Sequence, residues 1–165
     1  MEAKDLLINR LEVARHWTAS LLKDIEPSAW FDPPGPGLGH AAWQAGHLAA
    51  SQIMLLHVRC LGKKFPDCAP AEYQKLFARG STPVADAKAY PPLSTIRDFF
   101  DRTQKECLEM IRAMPVAELD KPAGAEPHPM FSDKAGAIST LTMHECFHAG
   151  QIALIRRLRG KAPLR

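Results

Sequence analysis

Four long stretches of the chain place apolar residues three and four positions apart, the spacing of one face of an α-helix, and none alternates as a strand does. The first covers residues 3–26: Leu7, Leu11, Ala14, Thr18, Leu21 and Ile25 form a stripe widened by Trp17 and Leu22, and Pro27 ends it. The second, 39–62, carries His40, Trp43, His47, Ala50, Met54, Val58 and Leu61 at near-heptad spacing. The third, 94–114, carries Ile96, Phe100, Thr103, Cys107, Met110 and Met114, with Ser94 as its expected N-cap. The fourth, 136–159, sets Leu141, His144, His148, Gln151, Ile155 and Leu158 along one side, and Gly160 stops it.

The connections at 27–39, 63–92 and 115–135 are rich in proline and glycine, so they are irregular apart from a short helix expected at 70–78. Four helices with one apolar face each predict an all-α four-helix bundle, a single domain over residues 1–165. The outer connections suit antiparallel neighbours, and the long middle one crosses over the bundle between helices 2 and 3.

Composition narrows the class. A chain of 165 residues fills one core. A net charge of +3 with scattered basic residues does not suit nucleic acid. No apolar run approaches the ~20 residues of a membrane helix, and the opening "MEAKDLLINR" does not read as a secretory signal. Cys60, Cys68, Cys107 and Cys146 lie far apart without C-x-x-C, as reduced thiols of a cytoplasmic protein would.

The candidate chemistry lies in "TMHECFHAGQ", which contains the H-E-x-x-H pattern of zinc proteases. His144 and His148 are four apart and share a helix face, half of a divalent-metal site. A protease of that class takes its third ligand from downstream. Here "AGQIALIRRLRGKAPLR" follows and holds no His, Asp, Glu or Cys, so the protease reading fails. The third ligand comes from upstream, and His47, set among small residues in "QAGHLAAS", is the best candidate. His40 is seven residues away, about 10 Å along a helix, and does not share the ion with it. His57 is rotated off the stripe and reads as a surface or groove residue. His16 reads as half-exposed and His128 as a solvated loop residue. Glu145 flanks the site, either as a partner for an imidazole N–H or as an ordinary helix carboxylate. Gln151 is either a network amide or a ligand contact. Cys146 faces away.

Three neutral imidazoles would leave a cation its full charge and an open position, able to acidify water or to deprotonate a thiol. Such a site does not choose between zinc, nickel, iron and copper. The loops at 27–39 and 115–135 are expected to wall it, with Trp30, Phe31 and Phe131 either lining a pocket or plugging the bundle end. Arg156, Arg157, Arg159 and Lys161 form a basic helix end, read chiefly as solvated charge.

The segments "WQAGHLAASQ", "YPPLSTIRDFF", "MPVAELDKPAG" and above all "HECFHAGQIALIRRLRG" resemble the DinB-like (DinB/YfiT) superfamily. The resemblance implies an up-down-down-up bundle. It also implies a divalent metal, usually nickel or zinc, held by one His of helix 2 and two of helix 4; these map onto His47, His144 and His148. Water completes the shell in such proteins, and many are homodimers. Some relatives are S-transferases or isomerases that use low-molecular-weight thiols, and others are described as metal-dependent hydrolases. The leading expectation is therefore transfer of such a thiol to a small electrophile. The alternatives are hydrolysis by metal-bound water and a non-enzymatic metal-binding or stress-response role. A homodimer is expected, but the sequence identifies no interface.

Overall fold

A computed structural model describes residues 2–164. Helix α1 spans Ala3–Lys23, α2 Ala41–Gln52, α3 Ala71–Phe77, α4 Leu93–Ala113 and α5 Lys134–Leu158. The fold is all-α: four long helices pack as a bundle and the short α3 lies in the connection between α2 and α4. Helix α2 continues beyond Gln52 as a π-helical segment, Ile53–Cys60. The four long periodic stretches and the short helix thus stand where the sequence pattern puts them. Helix α4 begins behind Pro92, so Ser94 sits inside the first turn and is not the cap. Helix α5 starts on Asp133, whose carboxylate accepts from the Gly136 N–H at 2.7 Å. It ends at Gly160, whose φ of 74° lets the Lys161 N–H reach back to the Arg156 carbonyl.

Contacts along the helices show their directions. Arg15 meets Glu145, and Asp24, just past α1, meets Arg156, so α1 and α5 run the same way. Gln52 meets Gln104 and His57 meets Cys107, so α2 and α4 also run the same way. Lys4 reaches the Met114 carbonyl and Arg15 the Phe100 carbonyl, which sets α1 against α4.

The core has two apolar layers. One gathers Leu21, Trp30, Leu48, Ile53, Phe77, Phe99 and Ile152; the other Leu11, Leu56, Cys107, Ile111, Ile138 and Leu141. A polar belt of Arg15, Gln52, Thr103, Gln104 and Glu145, all buried, divides them. In the belt the Arg15 guanidinium donates to both Glu145 oxygens at 2.9 and 3.1 Å and to the Phe100 carbonyl at 2.8 Å, and lies over the Phe100 ring. Buried charges persist when paired and fully hydrogen-bonded in this way.

Three sequence expectations change here. His57 is buried: Cys68 Sγ lies 3.4 Å from its Nδ1 and Cys107 Sγ 3.6 Å from its Nε2. The reason is the π-helical segment, in which each residue turns through less than the 100° used to place His57 outside. Trp17 is 46% exposed and does not widen the α1 core stripe. On α5 the buried face is Ile138, Leu141, Glu145, His148, Ile152 and Ile155, which leaves His144 and Gln151 at its edge and Leu158 in solvent. That face lies roughly 60° round from the predicted seam, at ~100° per residue. No described helix is long and apolar enough to cross a membrane.

Candidate metal centre

The site begins with two helices that run past each other in opposite directions, so that His47 on α2 meets both His144 and His148 on α5. His144 Nε2 lies 3.3 Å from His47 Nε2 and 3.1 Å from His148 Nε2. One nitrogen from each of the three rings falls within 4.8 Å of the others.

Each outer nitrogen that has a protein partner fixes its ring. His47 Nδ1–H donates to the Phe77 carbonyl at 2.6 Å. That carbonyl is at the end of α3, where helix carbonyls lack intrahelical partners. His148 Nδ1–H donates to Gln44 Oε1. Gln44 is held in turn by its own amide, which donates to Gln151 Oε1 at 2.9 Å and to the Gly39 carbonyl at 3.2 Å. With Nδ1 protonated, both Nε2 atoms turn bare lone pairs toward the centre. Trp43 stacks on the His47 ring, 4.6 Å between centroids and 9° from parallel, and its indole N–H donates to Ser81 Oγ at 3.0 Å.

The electrostatics match that role. Burial pushes the His144 imidazole down to about 4 and His148 down to about 3, and repulsion among the three rings adds to the shift. Burial also lowers His47, against the opposing pull of the Phe77 carbonyl. All three rings are therefore neutral near pH 7. His144 Nε2 turns a third lone pair to the same centre when its proton is on Nδ1, and a cation placed there relieves the repulsion among the three nitrogens. Nitrogens held about 2.0–2.1 Å from a tetrahedral ion stand about 3.3–3.4 Å apart, and about 2.9–3.0 Å when cis on an octahedral one. The observed separations fit a divalent ion of that size. His47 and His148 are buried and His144 is half-buried, so the centre opens to solvent on the His144 side.

The other predicted residues sort clearly. Glu145 does not serve the site: it is 1% exposed and both oxygens are taken by Arg15. Gln151 is an exposed residue rather than a buried one, and acts on the site through Gln44. Cys146 is exposed and outside the cluster, as expected. His40 caps α2, accepting from the Trp43 N–H, and its Nε2 faces the Val84 carbonyl. His16 is exposed and His128 is half-buried against Phe131.

The walls differ from expectation. Phe131 belongs to the far apolar layer, so the 115–135 connection does not border the centre. The crossover does, through Phe77 and Ser81. Trp30 is a plug, its indole N–H on the Ile25 carbonyl and Arg97 over its ring. Phe31 packs against His40 and Tyr90. The basic helix end is largely engaged: Arg156 is buried on Asp24, Arg159 donates to the Ala29 and Asp32 carbonyls, and Lys161 reaches Glu26. Only Arg157 of the four is solvated.

Gln44 is the residue the sequence reading missed. Its signal was an amide three positions before His47, alone in the small and apolar run "AAWQAGHLAA". Gly46 is also required locally, since a Cβ there would stand 2.4 Å from the Phe77 ring. The small residues beside His47 admit α3, not a ligand.

A search of curated protein sequences finds no match to the chain. The family model described as the DinB superfamily matches residues 10–152, a span that includes all three clustered histidines. The chain belongs to the DinB superfamily.

Proposed function

We propose that this protein is a metal-dependent enzyme that transfers a low-molecular-weight thiol to a small electrophile, using one nickel or zinc ion held by His47, His144 and His148. The observation that carries this reading is the meeting of three imidazole nitrogens within 4.8 Å of one another, His144 Nε2 standing 3.3 and 3.1 Å from those of His47 and His148, with the His144 residue half-exposed. A divalent ion there would supply Lewis acidity, which favours the thiolate form of a bound thiol at neutral pH.

The chain's own residues supply position and environment. Phe77 and Gln44 hold two imidazoles in the tautomer that presents Nε2 inward. Trp43 covers the His47 face and keeps water from that side. Among the described residues no carboxylate joins the cluster, so the ligand set is neutral and an anionic partner is favoured in the remaining position. The four cysteines are free, and one is exposed, which suits a reducing cytoplasm.

The test is turnover by the metal-loaded protein with a panel of small thiols and an aromatic halide electrophile. The expected result is thiol-dependent conjugation that falls at least a hundredfold in His47→Ala. Equal rates in the two proteins would remove the mechanism. Turnover without any thiol, with a pH profile set by water ionisation, would move the assignment to hydrolysis.

A further inference from the structure

Outside the metal centre a second cluster joins one histidine to two thiols. The His57 ring is 3% exposed, and among the described residues neither of its nitrogens has an oxygen or nitrogen partner. Its only hydrogen-bonding contacts are sulfurs, Cys68 Sγ at 3.4 Å from Nδ1 and Cys107 Sγ at 3.6 Å from Nε2. Buried polar groups ordinarily find a full partner, and one that does not is often held for redox or catalytic chemistry.

Three elements build the cluster. The π-helical segment Ile53–Cys60 turns His57 inward, and π-helical turns recur at functional sites. Helix α4 supplies Cys107, which is 0% exposed. The turn Phe65–Asp67 presents Cys68. Buried Phe65 anchors that turn, the Cys68 N–H donates to the Phe65 carbonyl at 2.9 Å, and the Lys64 N–H donates to the Asp67 carboxylate at 3.1 Å. Cys68 is only half-buried, so of the two thiols it is the one a solute can reach.

The donors run in one direction. The Cys68 S–H donates to Nδ1, which leaves the ring proton on Nε2, directed at Cys107 Sγ. Burial pushes the Cys107 thiol up to about 12, so it stays protonated. Burial also raises the Cys68 thiol and lowers His57, so the resting pair is a neutral thiol beside a neutral imidazole. Four charged groups surround them. Lys63 favours the thiolate and opposes the imidazolium, whereas Glu106 does the reverse. Asp67 opposes the thiolate, and Arg15 acts on Cys107.

We propose that Cys68 is a reactive thiol with His57 as its general base, and that it exchanges with the disulfide of a small thiol. Cys68 Sγ bonds to one sulfur of the disulfide RS–SR as the S–S bond breaks. The Cys68 proton passes to His57 Nδ1 and from there to the departing RS⁻. Cys68–SH and RS–SR thus become Cys68–S–SR and RSH, with the small disulfide itself as the oxidant. The step is independent of the metal centre, because His57 stands roughly 10–15 Å along the helix from His47. Cys146 supplies the comparison: it is exposed, and makes no side-chain hydrogen bond among the described residues. Exposure alone would make it the faster thiol.

Incubation of the full chain with oxidised glutathione, with adducts mapped by peptide mass spectrometry, tests this. A positioned base contributes about 10²–10⁴-fold, so Cys68 is expected to react at least about tenfold faster than Cys146 at about pH 7. His57→Gln should erase that lead while leaving the Cys146 rate and the helical circular-dichroism spectrum unchanged. The pH profile separates a base from a packing partner. In the wild type the Cys68 rate should vary less than about threefold between about pH 6.5 and 8.5, because the neutral imidazole takes the proton throughout. In His57→Gln it should climb about tenfold per pH unit, as an unassisted thiolate reaction does below the thiol pKa. Cys68 reacting no faster than Cys146, or a wild-type Cys68 rate that climbs about tenfold per pH unit, overturns the proposal. Both are wild-type measurements, so they decide the matter even if His57→Gln does not fold.

Discussion

Replacing Glu145 by glutamine separates the two readings its H-E-x-x-H context invites. If the carboxylate served the metal, the change would weaken metal binding or turnover and leave the fold alone. In the structure it does the opposite work. Both oxygens neutralise Arg15, a guanidinium 6% exposed in the belt between the two apolar layers. Removing one partner of such a pair leaves an uncompensated buried charge and costs about 3–5 kcal/mol. Glutamine keeps one acceptor and Arg15 keeps the Phe100 carbonyl, so the lower end applies, about 3 kcal/mol. For a chain of this size each kcal/mol moves the melting temperature about 2–4 °C, giving a fall of about 6–12 °C. Thermal melts followed by circular dichroism give the shift, and titration against a chromophoric chelator gives the metal affinity, which should stay within about threefold. Arg15→Met/Glu145→Leu should recover most of the lost stability, because it removes both charges together. An unchanged melting temperature combined with a tenfold loss of metal affinity would refute the assignment.

Other consequences are as direct. Gln44→Leu removes the acceptor on His148 Nδ1 and should lower metal affinity about 10–100-fold, as loss of an outer-shell partner does, with the helical content intact; the same chelator titration measures it. Gly46→Ala forces a methyl to within 2.4 Å of the Phe77 ring. It should cost about 1–3 kcal/mol in denaturant unfolding and weaken metal binding too, since Phe77 also carries the carbonyl that orients His47. Metal-free protein should lose stability on acidification. Burial favours neutral His47, His144 and His148 in the fold, whereas the unfolded chain takes up protons on histidine near pH 6.5. The contribution is therefore complete above about pH 6.5 and is lost progressively as pH falls toward the native values of about 4 and about 3. Melts of chelator-treated protein between pH 7.5 and 5 should show a steady decline, and a rise would contradict the sign.

The helices were legible because apolar spacing and proline stops are local properties of the chain. The three histidines were legible for a related reason: His144 and His148 share a face at any helical phase, and His47 stands out among small residues. What was not legible has physical causes. The orientation of His47 depends on a backbone carbonyl at Phe77, and a carbonyl has no residue-specific signature. His57 was misplaced because the switch from α- to π-helix changes the turn per residue without a marker in the sequence. The α5 seam was set at the wrong angle because that helix is apolar on two sides, and periodicity alone does not say which side is the core. Glu145 was read as flanking the site because its partner, Arg15, lies 130 residues away.

The most direct measurement is X-ray absorption on protein reconstituted with nickel or zinc and dialysed, alongside elemental analysis of the wild type and of His47→Ala, His144→Ala and His148→Ala. The account predicts one ion per chain, with imidazole scattering from three nitrogens at about 2.0–2.1 Å and loss of tight binding in every single variant. An ion that binds equally well to His47→Ala, or a shell with fewer than three imidazoles in the wild type, would contradict it.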